Sequence, residues 1–283
     1  MIQDISPYVF DNSFKNSAPD DDSYMIVQLD GKLLIKEEYG EFSLPLLRDT
    51  GLDREDLTYL LSVSGKTFYM CGSETACKNT VTRLFEKGFG LDGIGSIRRG
   101  SPRWLCFTAA VAFQLSQWYL SNRFCGCCGG AMVKKEDERA LVCERCGNIV
   151  YPKISPAIIA GVINGNRILL TKYAGRANSP SYALVAGFAE IGETIEETVK
   201  REVFEETGIR VKNLRYYKSQ PWPFSDTLLF GFFCDADGST RIKLDESELS
   251  VAEWVSRSEM DLEDDGISLT REMINAFKTR AID

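Results

Sequence analysis

Two clusters in the sequence have the residue types and spacing to do chemistry. The first is residues 187–209, GFAEIGETIEETVKREVFEETGI. Five residues separate Gly187 from Glu193, seven more precede Arg201-Glu202, and Glu205-Glu206-Thr207-Gly208-Ile209 follows. At about 100° per residue, Ile195, Val199 and Val203 form one apolar stripe of a helix. Glu202 and Glu206 are one turn apart and fall at the edge of that stripe, on the core side. Carboxylates turned inward are costly unless a cation meets them, and close oxygen ligands suit Mg²⁺ or Mn²⁺ rather than Zn²⁺. Glu205 is rotated away, at i+4 from Arg201, where it can orient or ligate. The loop from Gly187 to Glu193 leads into the helix N-terminus, whose N–H groups can meet phosphate oxygens. Divalent cations held by Glu202 and Glu206 would screen the charge of an anionic substrate and acidify a water, with a nearby carboxylate finishing its deprotonation. The rival reading is a solvated acidic face, but solvated acids should avoid the apolar stripe.

The second cluster holds Cys125, Cys127, Cys128, Cys143 and Cys146, five of the nine cysteines. Cys125-x-x-Cys128 and Cys143-x-x-Cys146 have zinc-ribbon spacing, and four thiolates in tetrahedral array suit one structural Zn²⁺ per chain. Cys127 is the spare, since a Cys125/Cys127 pair would match the second knuckle poorly. Such a site folds a small hairpin that lacks its own core.

Composition narrows the chemistry further. The chain has 283 residues, with 33 Lys+Arg against 41 Asp+Glu, for a net charge of −8. That balance argues against a protein that holds nucleic acid by a broad basic surface. There is no histidine, so Ser-His-Asp triads, Cys-His dyads and histidine bases are excluded, and a glutamate is the natural base. The clustered cysteines, and a start without a basic and apolar leader, read as a reducing cytoplasmic protein. No stretch is long and apolar enough to suggest a membrane span.

A third segment, Ser219-Gln-Pro-Trp-Pro-Phe224, reads as a rigid loop. Pro221 and Pro223 fix the backbone, so Trp222 and Phe224 can be presented to a ring at little ordering cost.

The glutamate run matches the Nudix signature, Gly-x5-Glu-x7-Arg-Glu-apolar-x-Glu-Glu-x-Gly-apolar, at every fixed position. The chain therefore resembles Nudix hydrolases, which cleave nucleoside diphosphates linked to another moiety. With SQPWPF behind a four-cysteine ribbon, it resembles the NADH pyrophosphatase subfamily over roughly residues 98–283. That resemblance implies hydrolysis of NADH and NAD⁺ to AMP and nicotinamide mononucleotide, removal of NAD caps from RNA 5′ ends, and a homodimer. It also adds Glu248 and the backbone of Ala186 to the Mg²⁺/Mn²⁺ ligands Glu202 and Glu206, with Glu205 assisting. The implied substrate contacts are Arg98, Tyr151, Gln220, Pro221, Trp222, Pro223, Phe224, Ser225, Asp226, Thr227 and Thr270. Where the family loop continues Pro-x-Ser, this chain has Ser225-Asp226-Thr227, which keeps the hydroxyl and adds a carboxylate. Rivals are a Nudix hydrolase of ADP-ribose or a dinucleoside polyphosphate, and a non-catalytic Nudix-like sensor that uses the ribbon to bind nucleic acid.

The elements that must position these residues read as α+β. An N-terminal α/β domain, 1–120, ends in a long helix over 103–121. A zinc ribbon occupies 121–152. A Nudix domain, a mixed sheet sandwiched by helices, occupies 153–283. Within it, Asn164-Gly165 marks a hairpin between Ala157–Ile163 and Arg167–Lys172. Strands follow at 182–187, 210–217, 227–234 and 253–256. The box helix, 194–207, ends at Gly208, and a last helix spans 269–281.

Overall fold

The computed structural model describes residues 1–174, 182–261 and 264–281. The chain divides into two compact units, residues 2–153 and residues 154–283 together with Met1. Among the described residues no helix is long and apolar enough to cross a membrane.

In the first unit, Leu57–Val63 and Lys66–Cys71 form an antiparallel hairpin. Its turn is Ser64-Gly65, both at positive φ (46° and 82°), the backbone twist that a two-residue hairpin turn requires. Phe10–Asp11 pairs with one side of this hairpin and Tyr24–Ile26 runs parallel to the other. The chain changes sheets after Ile26: Gln28–Leu29 turns to a second sheet and pairs with Lys32–Glu38. Helix Glu74–Phe85 starts at Ser73, whose hydroxyl accepts from the Ala76 N–H. The long helix, Arg103–Ser121, follows Pro102 as expected. The ribbon contributes strands Met132–Lys134, Leu141–Cys143 and Ile149–Val150. Arg139, between the first two, donates to Asn12 and to the Leu60 carbonyl, so the ribbon hairpin is tied to the N-terminal sheet.

In the second unit, Ser155–Asn164 is the central strand of a six-stranded mixed sheet. It runs parallel to Thr227–Asp237 along nearly its whole length. On its other side Arg167–Tyr173 pairs only at the Asn164 end, and Val185–Phe188 takes the place it leaves. Adjacent residues on a strand point to opposite faces, and the core divides accordingly. Ile158, Leu169 and Phe232 join Val199 and Val203 of the box helix on one face. Ile159, Leu170 and Phe233 join Leu269, Met273 and Phe277 of the terminal helix, Leu269–Lys278, on the other. The sheet is thus sandwiched by helices.

The register gathers three chain segments at the Ser155 end of the sheet. Ile158 pairs with Gly187, where the box begins. Ser155 pairs with Thr227, at the end of a hairpin turn. Leu249 pairs with Tyr173, which brings Glu248 to the same end.

Candidate functional site

The box helix, Ile195–Thr207, is fixed at both ends. Thr194 and Glu197 form a reciprocal capping box, and Gly208 closes the helix at φ 69°, a left-handed position that suits glycine. The apolar stripe packs as expected, and the glutamates sort by their distance from it. Glu206 is 3% exposed. The Glu202 side chain is 12% exposed and that of Glu205 56%.

Arg201 organises the acids around it. Its Nε and Nη2 donate to the two oxygens of Glu193 at 2.6 and 2.9 Å, and Nη2 also donates to the Phe188 carbonyl at 2.9 Å. Its Nη1 donates to Glu202 at 2.8 Å and Glu205 at 3.0 Å. Glu193 also accepts the Glu190 N–H and the Thr198 hydroxyl, so the loop is folded back on the helix it precedes. Arg201, and then the Glu190 N–H, hold the Glu193 carboxyl down at about 2. This hub lay outside the sequence reading, apart from the Arg201–Glu205 spacing. The signal available was the eight-residue step from Glu193 to Arg201, which reaches across the helix start.

Gly187 lies flat against Glu202. A Cβ at 187 would fall 1.9 Å from the Glu202 Cδ and 2.1 and 2.2 Å from its oxygens. The position therefore admits no side chain unless the carboxylate leaves its place beside Arg201. Ala186, opposite Ile159 on the strand, is half-buried.

Glu206 has no such partner. Its Oε2 is buried without a hydrogen bond. Burial, and then the charges of Glu202, Glu248 and Asp245, push its carboxyl up to about 8. Burial also raises Glu202, with Arg201 pulling the other way. A buried carboxylate with an orphaned oxygen and three acids near it is unfavourable alone and is relieved by a cation. The donor set is all oxygen, which fits Mg²⁺ or Mn²⁺. Asp245, not singled out from sequence, belongs to this acidic neighbourhood: its N–H donates to the Glu206 carbonyl at 3.0 Å, while its carboxylate caps Ser247. Exposed Glu248 follows in the same loop. A groove of about 850 Å³ beside the helix is lined by Glu193, Lys200, Arg201 and Phe204 but by neither Glu202 nor Glu206, so the acidic cluster carries the chemistry argument rather than the groove.

The segment expected as a rigid loop is instead mostly strand. Arg210–Trp222 runs through Gln220 and Pro221 before a turn at Pro223–Asp226. Pro221 is tolerated because this is the edge strand of the sheet, where a missing N–H costs no ladder bond. Gln220 is fully enclosed. Its amide donates to the Ile267 carbonyl at 2.9 Å and accepts from the Leu269 N–H at 2.7 Å, so it holds the start of the terminal helix. Trp222 and Phe224 are half-buried and meet edge to face at 4.9 Å. Pro223 is buried and Ser225 exposed. Asp226 takes a left-handed φ of 55° at the turn, and the buried Thr227 hydroxyl is bonded to Ser225. Thr270 sits in the first turn of the terminal helix.

Arg98 and Tyr151 belong to the first unit. Arg98 lies on the short helix Ser96–Arg99, and Tyr151, exposed, donates to Glu138 at 3.3 Å. In the same unit the sulfurs of Cys125, Cys128, Cys143 and Cys146 all lie within 4.8 Å of one another. Cys125–Cys146 and Cys128–Cys143 are 3.6 and 3.5 Å apart, against about 3.8 Å for a tetrahedron with zinc–sulfur bonds near 2.3 Å. Cys127 is outside the quartet and exposed. Gly129 and Gly147 turn the knuckles at φ 71° and 75°. A Cβ on Gly130 would press on two of the sulfurs, at 3.2 and 3.4 Å. The four thiols fit one zinc ion.

Comparison with known proteins finds a matching domain family for each of the two regions. The NUDIX domain family model matches residues 153–277 and the NADH pyrophosphatase zinc ribbon domain model matches residues 120–151. The chain is 47% identical over 146 residues to an NAD-capped RNA hydrolase NudC of Pectobacterium atrosepticum, covering 52% of this chain and 55% of that protein. It is 45% identical over 152 residues to one of Photobacterium profundum, covering 54% and 56%. The chain thus spans about half the length of these relatives. Among solved structures it is similar to a NUDIX hydrolase from Nitrosomonas europaea, at 23% identity and a TM-score of 0.47, covering 56% of this chain and 92% of that one.

Proposed function

Taking this chain as a Nudix-domain protein with an NADH pyrophosphatase-type zinc ribbon, we propose that it hydrolyses the diphosphate bond of NADH and NAD⁺. The products are AMP and nicotinamide mononucleotide, and the same reaction removes NAD caps from RNA 5′ ends. The observation that carries the reading is the buried, unpaired Glu206 carboxylate one turn from Glu202, with Glu248 beside them.

Glu202, Glu206, Glu248 and the Ala186 carbonyl would hold Mg²⁺ or Mn²⁺. When bound, the metal neutralises diphosphate charge and acidifies water. The chain's own residues do the rest. Arg201 fixes Glu202 and Glu205 in place and ties the Glu193 loop to the helix. Gly187 leaves Glu202 room to stay there. One of these glutamates accepts the proton from the attacking water. Zinc, held by the cysteine quartet, is structural, because four thiolates leave no open position. The same reading makes the protein a cytoplasmic homodimer.

Trp222 and Phe224, at the hairpin end of the sheet, are the residues proposed to meet a ring of the substrate. Each replaced by alanine should lose roughly 1–3 kcal/mol of transition-state binding, up to about a hundredfold in kcat/KM. NADH and ADP-ribose share the ADP half and the diphosphate, so only the nicotinamide separates them. The test is kcat/KM for NADH, ADP-ribose, a dinucleoside polyphosphate and NAD-capped RNA at fixed Mg²⁺ and at fixed Mn²⁺, in the wild type and both variants. NADH or the capped RNA should lead in the wild type, and the variants should lose on NADH and ADP-ribose alike. Unchanged rates would make the aromatic pair packing. A wild type that prefers ADP-ribose would overturn the substrate assignment while leaving the Nudix chemistry.

A further inference from the structure

Away from these centres, the first unit holds a second pair of cysteines. Cys71 ends the strand Lys66–Cys71, and Cys77 lies in the first turns of the helix Glu74–Phe85. Gly72 and Ser73 make the corner between them. Ser73 caps the helix through its hydroxyl, and its carbonyl accepts the Cys77 N–H at 3.0 Å. The corner is therefore a fixed strand-to-helix turn that brings the two cysteines to one place. The Cys77 thiol donates to the Cys71 carbonyl oxygen at 3.7 Å, and the Cys71 thiol to the Ser73 carbonyl oxygen at 3.8 Å, so both sulfurs lie at the same corner. Both residues are nearly enclosed, at 2% and 3% exposure, yet both line a cleft of about 180 Å³ together with Gln28, Glu74, Gln117 and Arg123.

Buried cysteines commonly serve as small apolar fillers. Two others in this chain behave so: burial pushes the thiols of Cys106 and Cys234 up to about 12. The pair differs. The neighbouring Cys77 thiol brings Cys71 down to about 7, while Cys71 in turn, with burial, pushes Cys77 up. One sulfur is thus disposed to be a thiolate and the other a thiol next to it. A polar acceptor is also waiting in the cleft wall. Gln28 is 6% exposed, and its Nε2 is fixed on Ser116 at 2.8 Å. Its Oε1 is left buried without a partner, able to accept an O–H from a small hydroxylic molecule.

We propose that Cys71 and Cys77 form a peroxide-reactive pair that closes into an intrachain disulfide. The Cys71 thiolate attacks one oxygen of a hydroperoxide. An S–O bond forms, the O–O bond breaks, and the departing oxygen takes a proton, leaving a sulfenic acid on Cys71. The Cys77 sulfur, giving up its proton, attacks the sulfenic sulfur. The S–S bond forms, the S–O bond breaks and water leaves. The two thiols supply two electrons, and hydrogen peroxide becomes two waters. Cys71 is the attacking residue and Cys77 the resolving one.

Both cysteines lie in one tryptic peptide, Thr67–Lys78. The zinc-loaded full chain is treated with limiting hydrogen peroxide, alkylated in denaturant and digested. That peptide should appear two hydrogens lighter than its reduced form and without alkyl groups, reverting on addition of dithiothreitol. The peptides of Cys106 and Cys234 should stay fully alkylated. A Thr67–Lys78 peptide carrying two alkyl groups, at a peroxide dose that oxidises exposed Cys127, would overturn the proposal. So would oxygen on Cys71 with no disulfide. The order is tested with a sulfenic-acid probe: Cys77→Ser should trap the probe on Cys71, and capture on Cys77 in Cys71→Ser but not on Cys71 in Cys77→Ser would refute it.

Discussion

Replacing Glu206 by glutamine is expected to lower kcat/KM on NADH by roughly 10²-fold or more, about 3 kcal/mol of transition-state stabilisation. Glutamine keeps the shape of the side chain and removes the negative charge that would meet a divalent cation. The fold should not suffer. Glu206 is buried with one oxygen unpartnered and with Glu202, Glu248 and Asp245 around it, so in the metal-free protein ionising it is costly and the carboxyl is pushed up to about 8. A neutral amide removes that burden, and the metal-free Tm should stay level or rise. Saturating Mg²⁺ should raise the Tm of the wild type and leave that of Glu206→Gln nearly unmoved, because only the wild type gains binding energy on folding. A glutamine variant of near-native rate would place the chemistry elsewhere. One that loses activity together with Tm would make Glu206 a structural residue.

The second large effect concerns the ribbon. Cys143→Ser should take zinc content from one per chain to near zero and cost several kcal/mol of stability. Cys143 is fully buried, and Gly130 has no side chain where one would press on the Cys143 and Cys128 sulfurs. The hairpin has little apolar core of its own, so the four sulfurs must be held by an ion to keep the two knuckles together. Cys127→Ser should change neither zinc content nor Tm, since Cys127 lies outside the quartet and is exposed. Zinc measured by atomic absorption, beside a thermal melt, decides both. Loss of zinc on changing Cys127 would reassign the first knuckle to Cys-x-Cys.

Both centres were legible in the sequence because each is set by local spacing. A Cys-x-x-Cys knuckle and two glutamates one turn apart need only one turn or one helix to come into register. The sheet with helices on both faces was legible too, through Asn164-Gly165, the helix end at Gly208 and the apolar runs. What escaped depended on contacts made only by the fold. Arg201 reaches Glu193 because the loop folds back over the helix start, and Gly187 matters because a neighbouring strand lays it against Glu202. The strand Leu57–Val63 was missed because it is buried almost throughout, and its apolar run has no alternation to read. Gln220 illustrates the opposite error. Two prolines suggested a rigid loop, but an edge strand tolerates Pro221, so the strand continues and encloses the Gln220 amide.

The most direct test of the central claim is product analysis of NADH hydrolysis by the wild-type chain with Mg²⁺ or Mn²⁺ in ¹⁸O-water. The account predicts AMP and reduced nicotinamide mononucleotide in equal amounts, with one ¹⁸O in the phosphate of one of them and no turnover when the divalent metal is chelated. Release of nicotinamide with ADP-ribose left intact, or intact NADH beside a readily hydrolysed ADP-ribose, would contradict it.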